Sequence, residues 1–333
     1  MYPPRPHYIQ LYPTLRCNLS CSFCFNRGLS ALPDISLRDF ERLITTIAGS
    51  GVRELDILGG EPTLHPGFTG MMDILYSSKV KTTISTNGCG NLHALVAVHK
   101  RNYGDLIKIG VSLNSAPVSE DLHEYLMKHR PMLKTVYTRK QRIPETARKY
   151  AAQPGTEYYL LYMDVVDKDS LGDSLPFHEF YRDLNALRKV HQNIKGVFCS
   201  GFIPDTQECQ VLAQARCPAG TTKLSVLPDG TAYPCYLLFR NSEFSLGNLL
   251  VDDFETIWNN PVLDIFRQFE GNPCRDARCE LNSACHGGCP ALSLLISNDI
   301  TAPDPRCMYG ITHGGIKPLR PRCQDYPSCS TFS

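Results

Sequence analysis

The sequence predicts an α/β protein in two parts, a parallel sheet with crossover helices over the first two hundred residues and then a smaller region organised by cysteines. Three observations predict it. Short β-branched or apolar runs alternate with amphipathic stretches up to about residue 205, the texture then changes to a hairpin pattern, and cysteine density rises steeply near the end.

The candidate strands are Tyr8–Leu15, Val52–Leu58, Lys81–Ser85, Leu106–Leu113, Thr156–Val166 and Ile194–Ile203. Between most of them lie helical patterns at Ser36–Ala48, with Ser36 as N-cap, and at Pro66–Tyr76, Leu92–Lys100, Ser119–His129 and Pro176–His191. The span Pro131–Ala152 reads as loop plus helix. Strand–helix alternation implies a parallel sheet with right-handed crossovers, either doubly wound or an open or closed barrel. In such sheets the chemistry sits at the carboxyl ends of the strands. After residue 205, Lys223–Leu227 and Thr231–Tyr236 flank Pro228-Asp229-Gly230, a strong turn signal. The run Cys274–Cys307 is expected to gain from ligand bonds the stability that a small core cannot give. The last residues, with Pro318, Pro321 and Pro327, read as an irregular tail.

Composition narrows the function. The chain has 333 residues, 42% of them apolar, enough for one large domain and an appendage. A net charge of +1 gives no reason to expect nucleic acid or an anionic membrane as partner. No run of eighteen apolar residues exists, and MYPPRPHYIQ lacks the apolar core of a signal peptide, so a cytoplasmic protein is expected. Fifteen cysteines in a chain of this size without an export signal read as metal ligands rather than as a disulfide framework.

Cys17, Cys21 and Cys24 form a C-x3-C-x2-C triplet directly after the first predicted strand. Three thiolates at this spacing can wrap one face of a cubane, each binding one iron. The fourth iron then stays open to an exogenous amine and carboxylate. The alternative is a structural zinc site, which normally takes four ligands.

This triplet, CNLSCSFC with Phe23 before the last cysteine, resembles the signature of the radical S-adenosylmethionine (SAM) superfamily. The resemblance implies a partial (β/α)6 TIM-like barrel and a [4Fe–4S] cluster on Cys17, Cys21 and Cys24 whose open iron chelates SAM. It also implies reductive cleavage of SAM to a 5′-deoxyadenosyl radical that abstracts hydrogen from a substrate. Gly59-Gly60-Glu61-Pro62 matches the family's GGEP element, whose backbone binds the methionyl amine. Ser85 and Asn87 end the third predicted strand, and Ser112 and Asn114 the fourth, where the family places contacts to the ribose and carboxylate of SAM. Asn114 stands where relatives often have Asp. Taken singly, each of these segments also reads as a turn.

The second cysteine group resembles the SPASM extension of that superfamily, over roughly Cys209–Cys307. Its crossed pattern implies that Cys217, Cys235 and Cys289 bind a nearer auxiliary cluster, with Cys209 as candidate fourth ligand. Cys274, Cys279, Cys285 and Cys307 would bind a farther one, although C-x4-C heads that run where relatives have C-x2-C. Three [4Fe–4S] clusters are thus expected in all. Two zinc sites are the alternative. The implied layout is a core at residues 1–205, a SPASM domain at 206–310 and a tail at 311–333.

Other residues have quieter readings. Cys89 and Cys199 read as small buried residues, and Cys323 and Cys329 as thiols of the tail. His65 and His286 read as hydrogen-bond donors behind the ligands, and Glu61 as a brace for the cofactor loop. Arg16 and Arg27 flank the first triplet, either tuning it or lying solvated.

Most relatives with this extension act on peptides, so the expected activity is radical modification of a peptide or protein side chain. Small-molecule or cofactor biosynthesis, such as tetrapyrrole modification, and a non-catalytic electron-transfer protein are the alternatives. The reductant would be flavodoxin or ferredoxin. The chain starts almost at its first strand, so substrate recognition is expected from the barrel mouth, the tail or a separate peptide-recognition protein.

Overall fold

The computed structural model describes residues 5–29, 31–114, 117–142, 145–198, 217–268 and 286–307. Six strand–helix units run in order: β1 (Tyr8–Leu11), α1 (Leu37–Gly49), β2 (Glu54–Ile57), α2 (Phe68–Ser78), β3 (Lys81–Thr86), α3 (Leu92–Arg101), β4 (Ile107–Ser112), α4 (Glu120–His129), β5 (Met132–Tyr137), α5 (Glu145–Ala151), β6 (Tyr158–Tyr162) and α6 (Phe177–Val190). A seventh parallel strand, β7 (Ile194–Val197), follows β6 at the sheet edge. The strands therefore follow one another in space as they do in sequence, in a linear order that does not close on itself. This is the partial barrel that the sequence implied.

Alternation decides which face each strand buries. Ile9 and Leu11, Leu55 and Ile57, Ile109 and Val111, and Leu133 pack outward against Phe40, Leu43, Met71, Leu75, Leu95 and Leu122 of the helices. Each such fully buried aliphatic chain contributes about 1.5–3 kcal/mol. Ser36 caps α1 as expected, its Oγ accepting the Asp39 N–H at 3.0 Å.

Two features differ from expectation. The span Pro131–Ala152 contains a strand, β5, ahead of its helix. Its residues do alternate, but Lys134 occupies an inward position and disguises the period. The ammonium is accommodated because Gly110 across the ladder has no side chain: a Cβ there would stand 2.7 Å from Lys134 Cε. Lys134 Nζ donates to Ser85 Oγ at 2.6 Å. Of the other predicted strands, β1, β2, β4 and β6 are shorter, β3 runs one residue further to Thr86, and β7 spans Ile194–Val197, residues 199–203 of its predicted span lying outside the described residues.

The second difference concerns the hairpin. β8 (Lys223–Val226) and β9 (Thr231–Tyr233) turn at Asp229-Gly230 as predicted, with Gly230 at φ +89°. They do not stand apart from the barrel. β8 pairs in parallel with β1, Tyr8 opposite Lys223 through Leu11 opposite Val226, and β10 (Gly247–Asn248) adds antiparallel to β9. One ten-stranded sheet thus runs through both halves of the chain.

The α3–α4 contact carries a pH dependence. His99 Nε2 meets the Tyr125 hydroxyl at 2.8 Å and its ring stacks on His129 at 4.4 Å. Burial, reinforced by His129, lowers the His99 pKa to about 4. The folded state therefore binds fewer protons than the unfolded one. The stabilising effect is complete above the ordinary value of about 6.5 and is lost as pH falls toward 4. Between pH 7 and 4.5 the native chain is expected to lose about 1 kcal/mol more than His99→Gln, a figure discounted for partial exposure. Urea midpoints of both chains at the two pH values test this.

Candidate functional site

Twenty-five residues separate β1 from α1, and this long loop carries the first cysteines. Its beginning is held to the chain leaving β2. Leu58 N–H donates to Leu11 O at 2.9 Å, Gly60 N–H to Thr14 O at 2.8 Å and Glu61 N–H to Arg16 O at 2.7 Å. The close approach explains the glycines. Gly59 sits at φ +136°, and a Cβ on Gly59 or Gly60 would collide with the carbonyl oxygens of Thr14 and Arg16. The GGEP segment is thus laid directly against the entry to the cysteine triplet.

Glu61 is fully buried and its carboxylate is the knot of this corner. Oε1 accepts from Thr63 N–H at 3.2 Å, Thr63 Oγ1 at 2.6 Å and Thr86 Oγ1 at 2.6 Å, and Oε2 accepts from Asn87 N–H at 2.7 Å. It joins the carboxyl end of β2 to that of β3. Asn87 in turn faces the first cysteine: its Nδ2 donates to Asn18 Oδ1 at 2.8 Å and lies 3.8 Å from Cys17 Sγ. Asn18 closes the contact by donating to Cys89 O at 2.7 Å.

Cys17 is exposed, Cys21 and Cys24 are partly buried, and Phe23 between them is partly buried too. A turn, with Cys24 N–H on Cys21 O at 3.1 Å, sets the pair. Burial, then the neighbouring thiols, raises the pKa of Cys21; burial chiefly raises that of Cys24. Crowded thiols that resist ionisation alone become good ligands once a cation supplies the missing charge. Leu19 N–H at 3.4 Å and Asn87 already point donors at Cys17 Sγ, as befits a ligating thiolate. The donor set therefore fits an iron–sulfur cluster. Among the described residues no three His, Cys, Asp or Glu side chains converge on one point.

Other predicted residues take up varied positions. Ser85 Oγ is engaged by Lys134, and Ser112 lies opposite Lys134 in the β4–β5 ladder. Asn114 Oδ1 accepts Val136 N–H at 2.9 Å, so it ties β4 to β5. His65 is buried, with Nε2 2.8 Å from Ile35 O and Nδ1 accepting Gly67 N–H at 3.0 Å; it fastens the loop after GGEP. His286 is buried. Arg16 pairs with Asp34 and donates to Leu64 O at 3.0 Å. Burial would raise the Asp34 pKa, but hydrogen bonds from Arg16 and Thr14 outweigh it and hold it low. Arg27 lies 3.7 Å from Asp167, and Cys89 is partly buried at the main core.

Of the second cysteine group, Cys217, Cys235 and Cys289 are buried in one cluster with Tyr12, Leu15, Val165, Phe239 and Leu292. Burial raises the Cys235 pKa, Cys289 adds to it, and Lys223 opposes it. Cys307 packs instead against the main core. Cys199, Cys209, Cys274, Cys279, Cys285, Cys323 and Cys329 lie outside the described residues.

Sequence reasoning missed the wall between the two groups. Phe25, next to Cys24, packs edge-on against Tyr12 at 5.0 Å and against Tyr236, next to Cys235, at 5.2 Å; Phe239 meets Tyr12 at 5.1 Å. Arg240 Nη2 donates to Phe25 O at 3.2 Å. The positions of Phe25 beside Cys24 and of Tyr236 beside Cys235 were the available signal.

A thiol triplet at the strand ends of a partial barrel, walled by a second buried cysteine group, defines an iron–sulfur protein of the barrel type. Two family models match the chain: the radical SAM superfamily over residues 11–149 and SPASM, an iron–sulfur cluster-binding domain, over residues 217–290. The chain belongs to the radical SAM superfamily and is an enzyme of that class, with SAM and iron–sulfur clusters as its cofactors.

Among its relatives is the antilisterial bacteriocin subtilosin biosynthesis protein AlbA of Bacillus subtilis, 25% identical over 86% of this chain and 67% of that protein. PqqA peptide cyclase of a Methylobacterium is 20% identical over 95% of this chain and 89% of its own. The fold is shared with Streptococcus suis SuiB bound to its precursor peptide SuiA, with TM-score 0.73 and 19% identity over 91% of this chain and 76% of that one. No helix among the described residues is long and apolar enough to cross a membrane.

Proposed function

We propose that this enzyme is a peptide maturase, cleaving SAM reductively and using the resulting radical to take hydrogen from a side chain of a peptide or protein. The observation that carries this reading is the joining of both cysteine groups in one sheet through β8 and β1, in a chain whose relatives include a peptide cyclase. SuiB, which shares the fold, was solved with a precursor peptide bound.

Cys17, Cys21 and Cys24 would hold the catalytic cluster, with Cys209, Cys217, Cys235 and Cys289 for the nearer auxiliary cluster and Cys274, Cys279, Cys285 and Cys307 for the farther, three in all. When bound, the catalytic cluster supplies the electron that splits the SAM C–S bond to give a 5′-deoxyadenosyl radical. Around it, Gly59 and Gly60 keep the backbone bare where the methionyl amine approaches, and Glu61 fixes that backbone to β3. Ser85, Asn87, Ser112 and Asn114 line the strand ends that would receive the ribose and carboxylate, with Lys134 orienting the Ser85 hydroxyl. Tyr12, Phe25 and Tyr236 shut water out from the side of the second cysteine group. Residues 1–205 would form the catalytic unit, 206–310 the auxiliary-cluster unit and 311–333 a tail, with flavodoxin or ferredoxin as reductant.

Anaerobic reconstitution tests the reading. Roughly twelve irons per chain are expected from three four-iron clusters. Incubation with SAM and dithionite should yield 5′-deoxyadenosine, and peptides encoded beside the gene should change mass. Zinc in place of iron, or iron without SAM cleavage, would overturn the assignment. SAM cleavage with every neighbouring peptide untouched would overturn the peptide substrate alone.

A further inference from the structure

Arg306 is fully buried, its side chain 0% exposed, one residue before Cys307. The guanidinium makes a forked pair with Asp304, itself 1% exposed, with Nε on Oδ1 at 3.0 Å and Nη2 on Oδ2 at 2.8 Å. Its remaining face reaches the end of β6. Nη1 donates to Met163 O at 2.8 Å and lies 3.4 Å from Asp164 Oδ1, and the guanidinium carbon sits 4.3 Å over the Tyr162 ring. Asp164 also accepts the hydroxyl of Tyr236, the residue after Cys235.

Asp304 holds cysteines on both sides of it in sequence. Its Oδ2 accepts the backbone N–H of Cys289 at 2.8 Å, and its carbonyl oxygen accepts that of Cys307 at 3.2 Å. Its own N–H donates to Gly287 O at 2.8 Å. A single aspartate thus fixes one cysteine of each proposed auxiliary set, and a single arginine fastens that aspartate to the barrel.

Stability alone does not account for this arrangement. Two carboxylates face one guanidinium, and ion pairs taken out of water recover little of their desolvation cost against a well-packed apolar alternative. What the fork provides is direction, because a planar guanidinium with five donors fixes its partners in one geometry.

We propose that Arg306, acting through Asp304 and Asp164, is a positioning residue that sets Cys289 and Cys307 against the barrel mouth, so that the auxiliary clusters assemble only on a folded β6 end. The inference rests on the reading of these cysteines as cluster ligands, and its test separates the two. In a full-length chain carrying Cys17→Ala, Cys21→Ala and Cys24→Ala, all bound iron belongs to the second cysteine group. Its iron content and the electron paramagnetic resonance of its reduced clusters are then read directly after reconstitution. Adding Arg306→Met should remove at least half of that iron and the corresponding signal. Arg306→Lys keeps the charge without the fork and should lose nearly as much.

The pair Asp304→Asn with Arg306→Met removes both charges of the buried fork, and the partly exposed Asp164 keeps the Tyr236 hydroxyl. It should retain the parent's circular dichroism and melting profile while its iron stays low. Full iron and unchanged signals in Arg306→Met would overturn the proposal. Full iron regained in the double variant would overturn it too, because the loss in Arg306→Met would then come from the stranded Asp304 charge and not from the missing fork. A parent chain without iron would overturn the cluster reading and the clamp with it.

Discussion

Cys24→Ala is expected to abolish 5′-deoxyadenosine formation from SAM, a loss of more than about 10³-fold, the scale on which members of a catalytic unit fail. The structure confines the effect to the thiol. The turn around Cys24 is made by backbone groups, Cys24 N–H on Cys21 O and Arg27 N–H on Cys24 O at 3.2 Å, and these survive the substitution. Phe25 remains anchored on Tyr12 and Tyr236. The variant should therefore fold, keep the iron of its second cysteine group and drop roughly one third of the total, four irons of about twelve. Colorimetric iron analysis beside chromatography of the nucleoside product reads both effects. Undiminished cleavage would refute the assignment of the first cluster.

The second large effect belongs to Glu61. Glu61→Ala removes the acceptor from the buried Thr63 and Thr86 hydroxyls, from the amide of Thr63 and from that of the partly buried Asn87. Stranding buried donors is the expensive way to lose a hydrogen bond. A destabilisation of about 4 kcal/mol follows, or roughly 10 °C in melting temperature. Glu61→Gln keeps the oxygen for the threonines but turns an NH2 group toward the Asn87 N–H, and should cost about half as much. SAM affinity should fall in both, since Asn87 and the GGEP backbone lose their common anchor. Thermal melts with and without SAM test this. A Glu61→Ala chain that melts with the native one would show that the carboxylate braces nothing.

What could be read in advance followed the range of each signal. β1–β4, β6 and β7 were legible because residues such as Ile9, Leu11, Leu55 and Ile57 alternate with polar neighbours within a few positions. β5 was hidden by one residue, Lys134, whose charge sits inside only because Gly110 leaves room and Ser85 supplies an acceptor across two strands. The cysteine triplet was plain from its spacing, and GGEP from its resemblance to the superfamily's element. Their mutual contact through Thr14 and Arg16 was not, since it joins residues more than forty positions apart. Glu61 was read as a brace, and its carboxylate accepts from Thr63, Thr86 and Asn87. The aromatic contact of Phe25 with Tyr236 and the seating of Arg306 on Met163 and Asp164 had no periodic mark at all, being decided between residues more than 140 positions apart.

The pairing of β8 with β1 also sets an order of events in time. Roughly 215 residues separate Leu11 from Val226, so at ordinary synthesis rates β1 waits on the order of 10–40 s for its second neighbour. During that interval one edge of the first strand is unpaired, and the loop bearing Cys17, Cys21 and Cys24 hangs from it. An exposed strand edge invites pairing with other chains. Newly made protein is therefore most vulnerable to aggregation, and its thiols to stray oxidation, before the hairpin arrives. Slowing translation just upstream of Lys223 would lengthen that window, and a chain lacking the hairpin would never leave it.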